Sequence, residues 1–251
     1  MRACSKMIAV MSVSMTLSTT VMADAPQLQM EWFASSDADT PITFDPADIG
    51  DTLFDDDGSV IYTGSLLGDA WQFSWTTRAR NDIDNTWLDG TLSIINLSDN
   101  QQDFSLSTTM EPLASFTGAA TMDLSASLGL TNLQWFGDAM VETTINDPLV
   151  TGSIDGTNVA GIFGNPYSLQ ALGGFGSAAD SDATAQGTSM TPSEAIAMLT
   201  SFSLSGGDML NISFALNVTS IPAPGAAALL SMAFILSTGR RRRTPTRGGA
   251  E

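Results

Sequence analysis

Between residues 209 and 220 the chain reads "MLNISFALNVTS". Leu210, Ile212, Phe214, Leu216 and Val218 alternate with Asn211, Ser213, Ala215, Asn217 and Thr219. Successive side chains of a strand point to opposite faces, so a two-residue period makes one apolar and one polar face. Wound as a helix, the same residues would scatter their apolar groups around the whole circumference. The stretch therefore demands a half-buried strand and a second layer to cover it. "AWQFSWTT" repeats the pattern with Trp71, Phe73 and Trp75, and "TLSIINLS" at 91–98, "QDFSLSTTM" at 102–110, "TMDLSASLGL" at 121–130 and "FSLSGG" at 202–207 continue it. "DDDGS", "LDG", "SDNQQ", "IDG", "GNP" and "SGGD" read as the turns between strands. Short alternating strands with such punctuation imply an all-β fold, a single antiparallel β-sandwich or jelly-roll-like domain over residues 24–219.

Two segments depart from the pattern. "TPSEAIAML" offers Thr191 as N-cap, Pro192 at the first position and Glu194 three residues after the cap, which predicts a short helix over 192–199. "GGFGSAADSDATAQGTS" at 173–189 is small and polar and reads as an exposed loop.

Charge is distributed unevenly. Residues 24–219 carry 26 acidic side chains against two basic ones, Arg78 and Arg80, a net charge of −24 in a chain whose total is −18. Such a body repels nucleic acid and anionic membrane surfaces and stays soluble in saline water, where self-repulsion is screened. The single cysteine, Cys4, precedes the apolar run at the start, so the body holds no thiol and no disulfide.

The remaining basic residues sit at the two ends. Arg2 and Lys6 precede a mildly apolar run to about Met22, and "VMA" ends in small residues at Ala23. This is the pattern of a secretory signal peptide over 1–23 cleaved after Ala23, with Ala25 as a second position. From Ile221 to Gly239 there is no charge, and then Arg240, Arg241, Arg242 and Arg243 follow. A helix from about Gly225 to Gly239 would span roughly 22 Å at about 1.5 Å per residue, shorter than the ~30 Å hydrocarbon core. Snorkelling arginines and local thinning would close that gap. The arginines would act as a stop-transfer signal, held in the cytoplasm with the body outside and 244–251 as a cytoplasmic tail.

Pro-x-Pro, a short Ala/Leu/Gly run and a terminal arginine cluster, over Ser220 to Arg243, resemble the PEP-CTERM sorting signal of secreted bacterial proteins. Pro222, Ala223, Pro224 and Gly225 stand at the sorting motif, with Ala223 in place of the usual glutamate, a "PAPG" variant of planctomycete-like bacteria. The resemblance implies recognition by an exosortase-like membrane protease, transient anchoring in the inner membrane through the C-terminal helix over 220–243, and then release or transfer to the surface.

Several chemistries are absent from the body. No histidine occurs anywhere, which removes Ser-His and Cys-His nucleophiles and most zinc sites. The body has no lysine or cysteine, which removes Schiff bases and thiolate catalysis. No phosphate loop is present. Paired carboxylates would permit glycoside hydrolysis, but 26 acids nominate no pair. "DTLFDDDGS" places Asp55 and Asp57 as candidate Ca²⁺ ligands, the alternative being an acidic β-turn without metal. Trp71, Phe73 and Trp75 share one strand face, which reads as core; exposed, they would make a platform for sugar rings. The expectation is a non-catalytic, exported surface or matrix protein without a cofactor. A carbohydrate-binding module or adhesin on extracellular polysaccharide is the alternative, and a carboxylate-based glycoside hydrolase the third reading.

Overall fold

The computed structural model describes residues 26–37, 41–82, 85–111, 116, 118–144 and 147–221. Ala23, Pro222 to Gly225 and Arg240 to Arg243 lie outside them. The first strands are β1 (Leu28–Ala34), β2 (Ile42–Phe44), β3 (Asp51–Phe54), β4 (Val60–Leu67) and β5 (Trp71–Asp82). Next come β6 (Asn85–Asn96), β7 (Gln102–Met110), β8 (Ala120–Asn132), β9 (Ala139–Thr143) and β10 (Val150–Ile154). The last are β11 (Thr157–Ile162), β12 (Ser168–Ala171), β13 (Ser177–Thr188), β14 (Ile196–Leu204) and β15 (Asp208–Ser220). One short helix, α1 (Pro46–Ile49), is capped by Asp45, whose Oδ1 accepts the Ala47 N–H at 2.8 Å. No helix among the described residues is long and apolar enough to cross a membrane.

The strands form two antiparallel sheets. One runs β11-β10-β14-β7-β1-β2, with β9 also on β14 and β12 on β9; the other runs β13-β8-β15-β6-β5-β4-β3. The sheets bury their alternating faces against each other as a sandwich. β15, the strand with the clearest alternation, lies in the middle of its sheet between β8 and β6. Leu210, Ile212, Leu216 and Val218 are wholly buried, together with Leu88, Leu92, Leu124 and Leu128 beside them.

Trp71, Phe73 and Trp75 all point inward. The Trp32 ring of the facing sheet stacks on Phe73 at 4.5 Å between centroids and 2° between planes. Phe104, Phe202 and Phe44 extend this aromatic layer. Buried aromatics of this size contribute about 1.5–3 kcal/mol each through burial, with a further ~0.5–1.5 kcal/mol from a well-oriented pair.

Three expectations are corrected. Residues 192–199 are not a helix: Pro192 to Ala195 are irregular, and Ile196 opens β14. Ile196, Met198, Thr200, Phe202 and Leu204 alternate inward, so burial of a strand face outweighs a local capping box. Residues 173–189 are not all loop, because β13 pairs with β8 from Ser177↔Thr131 to Thr188↔Ala120. As an edge strand β13 remains exposed, which is why its residues are small and polar. "LDG" is not a turn either, since Gly90 lies inside β6, where a Cβ would stand 2.2 Å from the Thr76 carbonyl oxygen. Glycine is needed there for close approach of β5.

Candidate functional site

The acidic turn between β3 and β4 brings Asp55 and Asp57 together around a guanidinium. Arg78 Nη2 donates to Asp57 Oδ2 at 2.6 Å and to Asp55 Oδ2 at 3.2 Å. The other Asp57 oxygen accepts the Ser59 N–H at 2.9 Å and the Ser59 hydroxyl at 2.6 Å. Those Ser59 bonds, helped by Arg78 and Arg80, hold the Asp57 carboxyl below its usual range. Arg78 also lies over the half-buried Trp87, 5.0 Å from its ring centroid. Among the described residues, no group of three or more metal-ligating side chains gathers.

A second site stands at one end of the sandwich. The loop after β8 and the loop before β13 present Leu133, Trp135, Phe136, Leu172 and Phe175 to solvent. Trp135 is 77% exposed and Phe136 87%. Trp135 and Phe175 meet edge to face, 4.9 Å apart and at 74°. The buried Asn132 side chain donates to the carbonyls of Gly137 and Gly173, one in each loop, at 2.9 and 3.0 Å. The Phe175 N–H donates to Gln134 O at 3.0 Å, and a Cβ on Gly174 would stand 2.0 Å from the Trp135 carbonyl oxygen. The loops thus lie backbone against backbone. Phe175 takes φ 58, a left-handed conformation in a stretch where Gly173, Gly174 and Gly176 are the neighbours. A non-glycine residue there costs about 1–2 kcal/mol.

Below these loops, Asp208 is 2% exposed at the start of β15. It accepts the Ser205 hydroxyl, and the Leu133 N–H faces it. Burial raises its carboxyl pKa against those two donors, and its Oδ1 has no partner.

Two cavities among the described residues bear on the carboxylate reading. The outer face of β8, β13 and β15 holds an open trough of about 540 Å³ lined by Ser125, Ser127, Ser181, Ala183 and Ser213, while the Asp182 carboxylate turns to the Phe163 N–H of the other sheet. A smaller cavity of about 200 Å³ includes Asp45 and Glu111, but Asp45 is committed to capping α1.

Sequence reasoning singled out none of Trp135, Phe136 and Phe175 as a site. The available signal was a cluster of aromatics flanked by glycine outside any alternating strand. The fold and its loops define an all-β two-sheet sandwich with an aromatic tip. The chain matches no protein-family model and no curated protein sequence.

Proposed function

We propose that this chain is an exported structural or interaction protein of the cell surface or extracellular matrix, without catalytic activity. It is delivered by its signal peptide and sorted through its C-terminal segment by an exosortase-like membrane protease. The observation that carries the reading is how β15 ends. β15 is a central strand, paired to its last residue, Ser220↔Ala120. The Ile221 N–H still donates to Ala119 O at 2.7 Å, and Pro222 follows at once. The candidate sorting segment therefore follows in sequence directly after a paired core strand. The acidic body supports the reading, because it stays hydrated and does not adhere to anionic lipid.

The test is mass spectrometry of the C-terminal peptide from membrane and from medium of the native host. A chain ending near Pro222 and lacking Arg240–Arg243 is the expected result. Retention of the arginines in a membrane-bound protein overturns the processing step. A second reading, a carbohydrate-binding module or adhesin, is favoured by the exposed Trp135–Phe175 corner.

A further inference from the structure

We infer that the Trp135–Phe175 tip is a binding site for the apolar face of a neutral polysaccharide. The inference rests on the surface-protein reading and gives it a ligand class. Four observations carry it.

The tip is built to stay exposed. Two loops are tied by Asn132, Gln134 and a backbone contact at Gly174, which fixes the backbone that carries the exposed aromatics. Phe175 occupies a left-handed position beside three glycines, and strain held at an exposed aromatic points to function.

The tip's charge excludes anionic ligands. The two basic side chains of the body, Arg78 and Arg80, lie toward the other end of β5 and are paired with Asp55, Asp57 and Asp82. Near the aromatics, the Gln134 amide donates to Gly206 O, and the Asp138 carboxylate accepts the Gln170 amide and the Gly173 N–H, which leaves their remaining lone pairs to a ligand. Amides and carboxylates bond sugar hydroxyls, whereas phosphates and uronates need cations.

The tip's size matches a sugar. Five exposed apolar side chains fall short of the 20–30 residues per side of a stable protein interface. A pyranose needs one open indole face and one wall, and the T-shaped pair supplies both.

The tip's position faces outward. β15 begins at Asp208 under the tip and ends at Ser220, 12 residues later. At about 3.3 Å per residue this separates tip and tail by ~40 Å. A body held by its C-terminal segment therefore presents the tip away from the membrane.

The experiment is native affinity electrophoresis of the full-length chain in non-ionic detergent, through gels containing dextran, xylan or hydroxyethylcellulose, with alginate as the acidic control. Retardation by at least one neutral polymer and not by alginate is expected. Trp135→Ala should weaken it about tenfold or more, with an unchanged melting midpoint, since the side chain is exposed. Phe175→Gly should also weaken it. No retardation by any neutral polymer, or equal retardation of Trp135→Ala, overturns the inference. So does a Trp135-dependent gain in flotation with phosphatidylcholine vesicles, or Trp135-dependent dimerisation, without sugar binding. Purified protein is used throughout, so the result stands apart from the C-terminal mass measurement, which tests export and sorting alone.

Discussion

Asp155 and Ala195 hold each other twice across 40 residues of chain. The Ala195 N–H donates to Asp155 Oδ1 at 2.9 Å, and the Asp155 N–H donates to Ala195 O at 2.8 Å. The same carboxylate accepts the N–H groups of Ser193 and Glu194 and the Ser193 hydroxyl. Asp155 and Gly156 form the two-residue loop between β10 and β11, with φ 48 and 75, as a type I′ hairpin requires. Three successive N–H groups that could have started a helix are thus capped from the β10–β11 loop.

Asp155→Asn should therefore destabilise the fold by about 1–3 kcal/mol, the range for losing charge-assisted bonds. Burial pushes this carboxyl up, but the Ala195, Glu194 and Ser193 donors together bring it below its ordinary value of 3.8. A depressed folded pKa stabilises above the unfolded value and ceases to do so as pH falls through the folded one. Urea unfolding at pH 7 and at pH 3 should show a larger gap between parent and variant at pH 7.

Asp208 should behave in the opposite sense. Its folded pKa is raised, so its contribution is present below the unfolded value of 3.8 and is lost as pH rises through the folded one. Asp208→Asn removes the buried charge. Melting midpoints of variant minus parent should be more favourable at pH 7 than at pH 4, and a difference independent of pH would refute this.

Arg78 should act as the resident cation of the acidic turn. Arg78→Gln leaves Asp55 without a guanidinium and Asp57 with only that of Arg80, at 3.6 Å. The midpoint should fall only slightly, because partly exposed ion pairs contribute little. Added Ca²⁺ should then raise the midpoint of the variant more than that of the parent. Equal responses would show that the two carboxylates form no cation site.

The free edge of β13 should be guarded by Asp180 and Asp182. Each Oδ1 accepts the N–H of the next residue, Ser181 or Ala183, at 2.8 Å. Their second oxygens reach the other sheet, at the Tyr167 hydroxyl and the Phe163 N–H, both at 3.0 Å. The double variant Asp180→Ala, Asp182→Ala frees these edge donors and removes two like charges. Light scattering should show concentration-dependent association that the parent lacks.

Much of the fold was legible because alternation is a local property. Leu210 to Val218 and Trp71 to Trp75 each carry their inward face within a few residues, and both faced inward as read. Gly90 was misread because its purpose is the Thr76 backbone on the next strand, which no local pattern reveals. The helix over 192–199 was misread because its competitor, a strand slot between β10 and β7, is assembled from distant segments. Asp55 and Asp57 were read as candidate cation ligands from neighbouring turn positions, but the group that sits on them, Arg78, comes from 21 residues beyond Asp57.

By itself the sequence determined the class: strands by their two-residue period, an acidic body with no histidine, and most of the basic residues kept to the chain ends. These follow from side-chain order and composition, which do not depend on which strands pair. Only the tertiary structure decided what requires distant residues to meet. It set β15 at the centre of its sheet, put Arg78 between two aspartates, and joined Trp135 to Phe175 through loops 40 residues apart. The physical reason is that pairing and burial are non-local. A side chain becomes core, cap or exposed tip according to the neighbours that the fold supplies.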